Sequence, residues 1–338
     1  MRLVVQIPCY NEEAMIAKVI ADIPRSIPGI REVLVLVVDD GSTDQTVSVA
    51  LAAGADCIAH HVRNRGLAAA FRTGVDAALR LGADIIVNTD GDNQYSGADI
   101  PKLVQPILRG RADLVVGDRD PSSARHFSAQ KRFLQAFGSW VVRQLSGTTV
   151  PDAPSGFRAL SREAALRLNV VTSYSYTLET LIQAGSQRLA VSSVPISANP
   201  TARQSRLARS TLDYVQRSLV TLVRAYAMYQ PVRVFATISL LLFVPGLLGV
   251  ARFLWYDVHG VGSGHVQSLV LSGVLLVIGL QVGLIGLVAD LIAGHRRLME
   301  EALYRLRKLD VVERPLTTPR SYSPEPPPDE TSESITHV

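Results

Sequence analysis

Two stretches without a single charged residue, Val234–Ala251 and Val266–Ala289, most limit what this 338-residue chain can fold into. Each is near the ~20 apolar residues that cross a bilayer as a helix. A bilayer core offers no water to backbone groups, so such a run must form its hydrogen bonds within itself. The rest of the chain is different. Charged residues make up 19% of the total against the roughly 25% of soluble domains, and they are spread through about the first 230 positions. The hydrophobic share of 47% and mean hydropathy of +0.20 therefore average two compositions. They exclude a wholly soluble protein, a collagenous or disordered chain, and a channel built mainly of spans.

Charge placement sets an expected orientation. Arg217, Arg224 and Arg233 precede the first run, and His295, Arg296, Arg297, Arg305, Arg307 and Lys308 follow the second. The intervening Tyr256–His265 has no Lys or Arg. The positive-inside rule then puts both termini in the cytoplasm and a short hairpin outside, with Arg252 snorkelling at the outer end. The net charge of +4 and pI near 9.2 are not gathered into a stripe. Anionic lipid head groups, not nucleic acid, are the expected partner of that excess. Cys9 and Cys57 have no metal-ligand neighbours at useful spacing and read as reduced, structural thiols. The apolar run after Met1 is too short for a signal peptide.

Over the first 120 residues short apolar runs alternate with helical patterns, predicting a parallel α/β sheet. Strands are expected at Arg2–Ile7, Val33–Val38, Asp56–His60, Asp84–Thr89 and Asp113–Gly117. Helices are expected at Glu12–Asp22, Asp44–Ala53, Gly66–Arg80 and Pro101–Leu108. Further on, Ser128–Ser146 and Leu207–Tyr229 are amphipathic and fit either core-packing helices or helices lying on a membrane surface. Adjacency to the first span favours the membrane surface for Leu207–Tyr229. The tail from Val311, acidic and rich in Pro and Ser, is expected to be disordered.

Polar motifs close three of these strands, at the sheet edge where open parallel sheets bind ligands. Pro8-Cys9-Tyr10-Asn11-Glu12 ends the first and Asp39-Asp40-Gly41-Ser42 the second. Paired carboxylates after an all-Leu/Val strand are costly to bury, so they are expected to face a cleft and accept from a ligand's donors, such as those of a base or ribose. Asp90-Gly91-Asp92-Asn93-Gln94 ends the fourth strand. Two carboxylates around a glycine, with an amide oxygen behind, form the all-oxygen set that Mg²⁺ or Mn²⁺ takes together with phosphate oxygens.

Pro8-Cys9-Tyr10-Asn11-Glu12, Asp39-Asp40-Gly41-Ser42 and Asp90-Gly91-Asp92, in that order, resemble the family-2 glycosyltransferases of GT-A fold. More narrowly, the chain looks like the polyisoprenyl-phosphate glycosyltransferases. That likeness rests on Gln94, on Gly117-Asp118-Arg119, on Asp152-Ala153-Pro154-Ser155-Gly156-Phe157-Arg158, and on Asn64-Arg65-Gly66-Leu67 with Gly74. It covers about residues 2–230, and a C-terminal pair of spans fits one subgroup. Where many relatives have an Arg-x-x-Gly-x-Ser-Lys-type loop, Asn199–Leu207 lacks the Gly and carries Arg206 in place of Lys.

The resemblance implies inverting transfer of a sugar from a nucleotide-diphosphate sugar, UDP- or GDP-linked, to a polyprenyl phosphate at the cytoplasmic face of the membrane. It implies that Asp90, Asp92 and Gln94 hold a divalent metal, Mg²⁺ or Mn²⁺. Pro8, Tyr10, Glu12, Asp39, Asp40, Asn64, Arg65, Gly66, Asp90 and Gly91 would hold the nucleotide sugar. Arg119, Arg158 and Arg206 would hold phosphate, and Asp152 would serve as base or as orienter of the acceptor or an arginine. A diacylglycerol or other glycolipid acceptor, and a non-catalytic nucleotide-sugar-binding subunit, are the competing readings. The expected organisation is a catalytic domain at 1–206, an amphipathic helix at 207–230, a membrane hairpin at 231–294, a basic helix at 295–310 and a tail at 311–338. Gly246, Gly249, Gly273, Gly279 and Gly283 in the spans allow close helix packing and with it a homo-oligomer.

Overall fold

A computed structural model of the chain describes residues 1–119, 143, 147–148, 150–170, 176–197, 199, 231–259 and 266–313. Strand β1 (Arg2–Cys9) is buried from Leu3 onward, as a central parallel strand covered on both faces must be. It lies between β2 (Glu32–Asp39) and β4 (Ile85–Asn88), parallel to both, and β3 (Cys57–His60) continues the sheet beyond β2. Helices α1 (Ile16–Ala21), α2 (Thr46–Ala52) and α3 (Leu67–Arg80) make the crossovers. After α4 (Ile100–Leu108) come β5 (Leu114–Asp118), β6 (Arg158–Ser161), α5 (Arg162–Arg167), α6 (Tyr176–Ser186) and β7 (Val191–Pro195).

The seven strands lie in the order β3-β2-β1-β4-β6-β5-β7. The sheet is mixed, not purely parallel, because β6 runs antiparallel between β4 and β5. Its first residue, Arg158, closes the Asp152–Arg158 motif, and Ala159–Ser161 are assigned no element in the sequence reading. Helix α1 starts four residues later than the sequence pattern indicates. Asn11 takes a positive φ of 54°, and Met15 and Ile16 both donate to the Glu12 carbonyl, so Glu12–Met15 is a turn leading into the helix.

A buried polar chain crosses the middle of the sheet. Gln6 Nε2 donates to Asn88 Oδ1 at 2.9 Å, and Asn88 Nδ2 donates to the Gly156 carbonyl at 2.8 Å and to the Tyr176 hydroxyl at 3.0 Å. Hydrogen-bonded groups can be buried where bare ones cannot. This chain ties β1, β4, the loop before β6, and α6 into one register.

The fold divides into two units, residues 1–211 with 304–338, and residues 212–303. In the second, α7 (Pro231–Val258) and α8 (Val266–Glu313) carry the two apolar runs. Leu241, Leu248, Leu271 and Leu291 are among the many exposed aliphatic side chains there, a surface suited to lipid and not to water. The two helices pack on each other through small residues. A Cβ on Gly279 would lie 2.9 Å from the Phe243 nitrogen, one on Gly246 would lie 3.0 Å from the Leu276 nitrogen, and Ser239 Oγ donates to the Gly279 carbonyl at 2.7 Å. Gly246, Gly249, Gly279 and Gly283 are thus used inside the hairpin, while nothing lies within 4 Å of a Cβ on Gly273. Close packing between copies of the chain does not follow from them.

Helix α8 also runs unbroken through the position at which the sequence reading separates a basic helix, 295–310, from the span. Its last residues belong to the first unit. Arg307 donates to the Leu168 carbonyl and to Asn169 Oδ1, both at 3.1 Å, Asp310 pairs with Arg80 at 2.5 Å, and Arg167 lies over the Tyr304 ring.

Candidate active site

The carboxyl ends of β1, β2 and β3 are in register, Cys9 opposite Asp39 and Asp39 opposite His60. Past these ends the first two loops are laced together: Asn11 N donates to Ser42 Oγ, Thr43 N to Asn11 Oδ1, and Glu12 N to Thr46 Oγ1, at 2.8–2.9 Å. Tyr10 is exposed beside them and Pro8 is buried.

Neither carboxylate of the Asp39-Asp40 pair faces the cleft as the sequence reading expects. The Asp39 side chain is fully buried, accepting from Ser42 N and paired with His60 Nδ1 at 2.7 Å. Asp40 is also buried. Its Oδ1 is paired with His61 Nδ1 at 2.7 Å and accepts from Arg65 N at 2.8 Å, and its Oδ2 accepts from Gly66 N at 2.8 Å. Two histidines at the end of β3 supply hydrogen-bond donors that make burial tolerable. Asp40 is therefore spent on shaping the Asn64-Arg65-Gly66 loop, and His61 ties that loop to α3 through Thr73 Oγ1 at 2.9 Å.

Gly41 completes the cradle. It has φ +74°, and a Cβ there would come within 2.6 Å of the Arg63 carbonyl carbon. Gly41→Ala is expected to lower stability by more than the ~1–2 kcal/mol of a left-handed non-glycine residue, because the backbone of residues 63–64 has to move as well. A thermal melt reads the loss, and a melting temperature equal to wild type contradicts this packing.

At the end of β4, Asp90 is enclosed. Burial first, and then the neighbouring Asp92 charge, push its carboxyl up to about 7. Its Oδ1 is buried without a hydrogen-bond partner. A Cβ on Gly156 would lie 2.9 Å from that oxygen, so only glycine lets the β6 loop pass so close. Gly91 packs against Cys9 and the Pro8 carbonyl, joining this loop to the end of β1. Asp92 is exposed, with Oδ1 accepting from Gln94 N at 3.0 Å, and Asn199 closes over the loop through Asn93 O and Gln94 O.

An orphaned buried carboxylate oxygen beside a second carboxylate is what a cation would satisfy. Hence Asp90, Asp92 and Gln94 fit a hard divalent ion that takes further oxygens from its ligand. Among the described residues no group of three or more His, Cys, Asp or Glu could hold a metal ion.

Across the cleft, Asp152 is fully buried and held bidentately by Arg119, Nε to Oδ2 at 2.7 Å and Nη2 to Oδ1 at 3.0 Å. Burial works against the guanidinium charge, but Asp152, with Tyr95 and Asp90, more than offsets it, so the Arg119 pKa is raised. The Arg119 guanidinium also lies 5.8 Å over the Tyr95 ring. Arg158 has a different role from the one its charge implies. It is fully buried, donating to the carbonyls of Ala153, Ser155 and Thr177 and to Thr180 Oγ1, so it pins the 153–155 loop to α6 and presents no donor fork to a phosphate. Arg206 lies outside the described residues. The residues that sequence reasoning passes over are His60, His61, Asn88, Tyr95 and Tyr176. Only the adjacent histidines, at a strand end opposite two aspartates, leave a readable signal.

Comparison with known proteins gives the family. Residues 4–168 match the model of glycosyl transferase family 2, and residues 230–294 match the GtrB C-terminal hairpin. The UDP-N-acetylglucosamine–dolichyl-phosphate N-acetylglucosaminyltransferase of Methanococcus voltae is 32% identical over 211 residues, 56% of this chain and 82% of its own length. The chain belongs to glycosyltransferase family 2. A second relative of this transferase, the polyprenol monophosphomannose synthase of Mycolicibacterium smegmatis, is 31% identical over 58% of the chain and 77% of its own length. Among solved structures, glucosyl-3-phosphoglycerate synthase from Mycobacterium tuberculosis in complex with Mn²⁺, UDP-glucose and phosphoglyceric acid superposes with a TM-score of 0.53. It is 25% identical and covers 67% of this chain and 78% of that one. The mixed sheet of the transferase is thus the GT-A fold.

Proposed function

We propose that this transferase moves a sugar, with inversion, from a UDP- or GDP-sugar to a polyprenyl phosphate, and that its catalytic unit works at the cytoplasmic face of the membrane. The observation that carries the reading is a family-2 catalytic unit and a GtrB-type apolar hairpin on one chain. An acceptor with a long hydrocarbon tail stays in the bilayer, so its enzyme must be anchored there. The names of the dolichyl-phosphate and polyprenol-phosphate relatives support the acceptor, and the Mn²⁺–UDP-glucose complex of the structural neighbour supports the donor class.

Asp90, Asp92 and Gln94 would hold Mg²⁺ or Mn²⁺, which supplies Lewis-acid stabilisation of charge building on the leaving diphosphate. The chain's own residues do the rest. The cradle formed by the Asn11 and Gly41 loops with Asn64-Arg65-Gly66 receives the nucleoside. Arg119 offers positive charge to phosphate at the cleft, and the buried Asp152 fixes the direction of its guanidinium. A polyprenyl phosphate is already an anion near neutral pH, so the reaction needs no strong base. Both Asp152 oxygens are occupied by Arg119, which favours orienter over base. Arg206 serves in this reading as a second phosphate clamp.

Removal of residues 231–303, which spares the 304–313 stretch packed on the catalytic unit, tests the anchoring. Reconstituted with undecaprenyl phosphate, the shortened enzyme is expected to lose nearly all transfer to this long-chain acceptor while still binding UDP or GDP with Mn²⁺. Transfer at the full rate sinks the anchoring argument.

A further inference from the structure

The end of β3 presents a chemical group that the transferase reading leaves unused. Of the four side chains in the Asp39–His60 and Asp40–His61 pairs, three are almost wholly buried, and only His60, with 52% of its side chain exposed, faces solvent. Asp39 therefore lies behind His60 and is screened by it. A carboxylate accepts and cannot donate, so the proton between them sits on His60 Nδ1. In the neutral imidazole the outer nitrogen, Nε2, then carries a lone pair. Nε2 has no protein partner among the described residues. The ring is fixed in direction by a 2.7 Å bond to an immobile partner and by its place in the β2–β3 register.

Its position fits one part of the donor. The metal-motif carboxylates stand at the end of β4, and the strand order from there is β1, β2, β3. At the ~4.8 Å spacing of neighbouring strands, His60 is about 14 Å along the sheet edge from the β4 end. That is the reach of an extended nucleoside diphosphate whose phosphates lie at β4. The base then arrives at β2–β3.

Resting on the proposed transferase reading, we propose that His60 is the residue that selects the donor's base: Nε2 accepts from a ring N–H, and Asp39 is a positioning residue acting through it. Uracil N3 and guanine N1 carry such a hydrogen, whereas adenine N1 and cytosine N3 offer a lone pair that opposes that of Nε2. The pocket thus favours uridine or guanosine diphosphate sugars over adenosine and cytidine ones. The Asp39 carboxylate, read in the sequence as the group that meets the nucleoside, makes its contribution one residue removed.

The test is titration calorimetry on the full-length enzyme in nanodiscs with Mn²⁺, using UDP, GDP, ADP, CDP and inorganic pyrophosphate. Wild type is expected to bind UDP or GDP more tightly than ADP and CDP. His60→Ala is expected to bind the preferred nucleotide about tenfold more weakly, as befits one lost hydrogen bond, and to lose discrimination. Its pyrophosphate affinity should stay unchanged, which also shows that the variant is folded. His60→Gln, whose carbonyl oxygen can accept in place of Nε2, is expected to recover part of the preference. Unaltered base discrimination in His60→Ala overturns the assignment, as does a wild type that binds pyrophosphate and all four nucleotides alike. A wild type that binds neither pyrophosphate nor any nucleotide overturns the transferase reading along with it.

Discussion

Asp92→Ala in the full-length enzyme is expected to cut kcat by about 10²–10³-fold, the scale on which removing one preorganised stabiliser of transition-state charge is felt. Asp92 is exposed at the mouth of the β4 loop, while Asp90 behind it is buried with one oxygen orphaned and its carboxyl pushed up to about 7. Two such carboxylates repel each other unless a cation lies between them. Alanine at 92 removes one ligand and leaves Asp90 and Gln94, too few oxygens to hold a divalent ion beside a diphosphate. EDTA should reproduce the loss in wild type and add little in the variant. Turnover that persists both in EDTA and in Asp92→Ala removes the metal-site assignment.

The second large effect concerns the Arg119–Asp152 pair. Breaking a buried, bidentate ion pair by removing one partner costs about 3–5 kcal/mol of stability, since the other charge is left uncompensated. Asp152→Ala should therefore melt well below wild type. Arg119→Leu with Asp152→Leu should regain much of that stability, because neither charge remains. Activity separates the roles. A positioning Asp152 predicts that Asp152→Asn and Arg119→Ala raise the KM for the lipid acceptor by similar factors, and that the double variant is no worse than either single one. A near-normal Arg119→Ala enzyme beside an Asp152→Asn enzyme without turnover identifies Asp152 as the base instead.

Much of this architecture was legible because burial on both faces demands unbroken apolar runs. Strands β1 to β5 and the motifs at their ends stand out for that reason, as do the two membrane runs. What escaped depends on partners distant in sequence. Asp39 and Asp40 look like ligand groups until His60 and His61 arrive from the next strand. Arg158 looks like a phosphate clamp, yet its donors turn inward onto the carbonyls of its own loop and of α6. Strand β6 has only four residues, one of them this arginine, so no alternation announces it. The glycines of the spans fit packing between copies and packing within the hairpin equally well until Phe243 and Leu276 are seen against them. The amphipathic segments 128–146 and 207–229 and the acidic tail beyond Glu313 fall wholly or almost wholly outside the described residues.

Polyprenyl-phosphate transfer is tested most directly by offering the purified full-length enzyme, in lipid with Mg²⁺ or Mn²⁺, a panel of UDP- and GDP-sugars together with undecaprenyl phosphate and weighing the lipid products by mass spectrometry. A single hexose or N-acetylhexosamine joined to the lipid through one phosphate, with the nucleoside diphosphate released, is the predicted product. A lipid diphosphate with release of nucleoside monophosphate, or sugar appearing only on diacylglycerol, contradicts it.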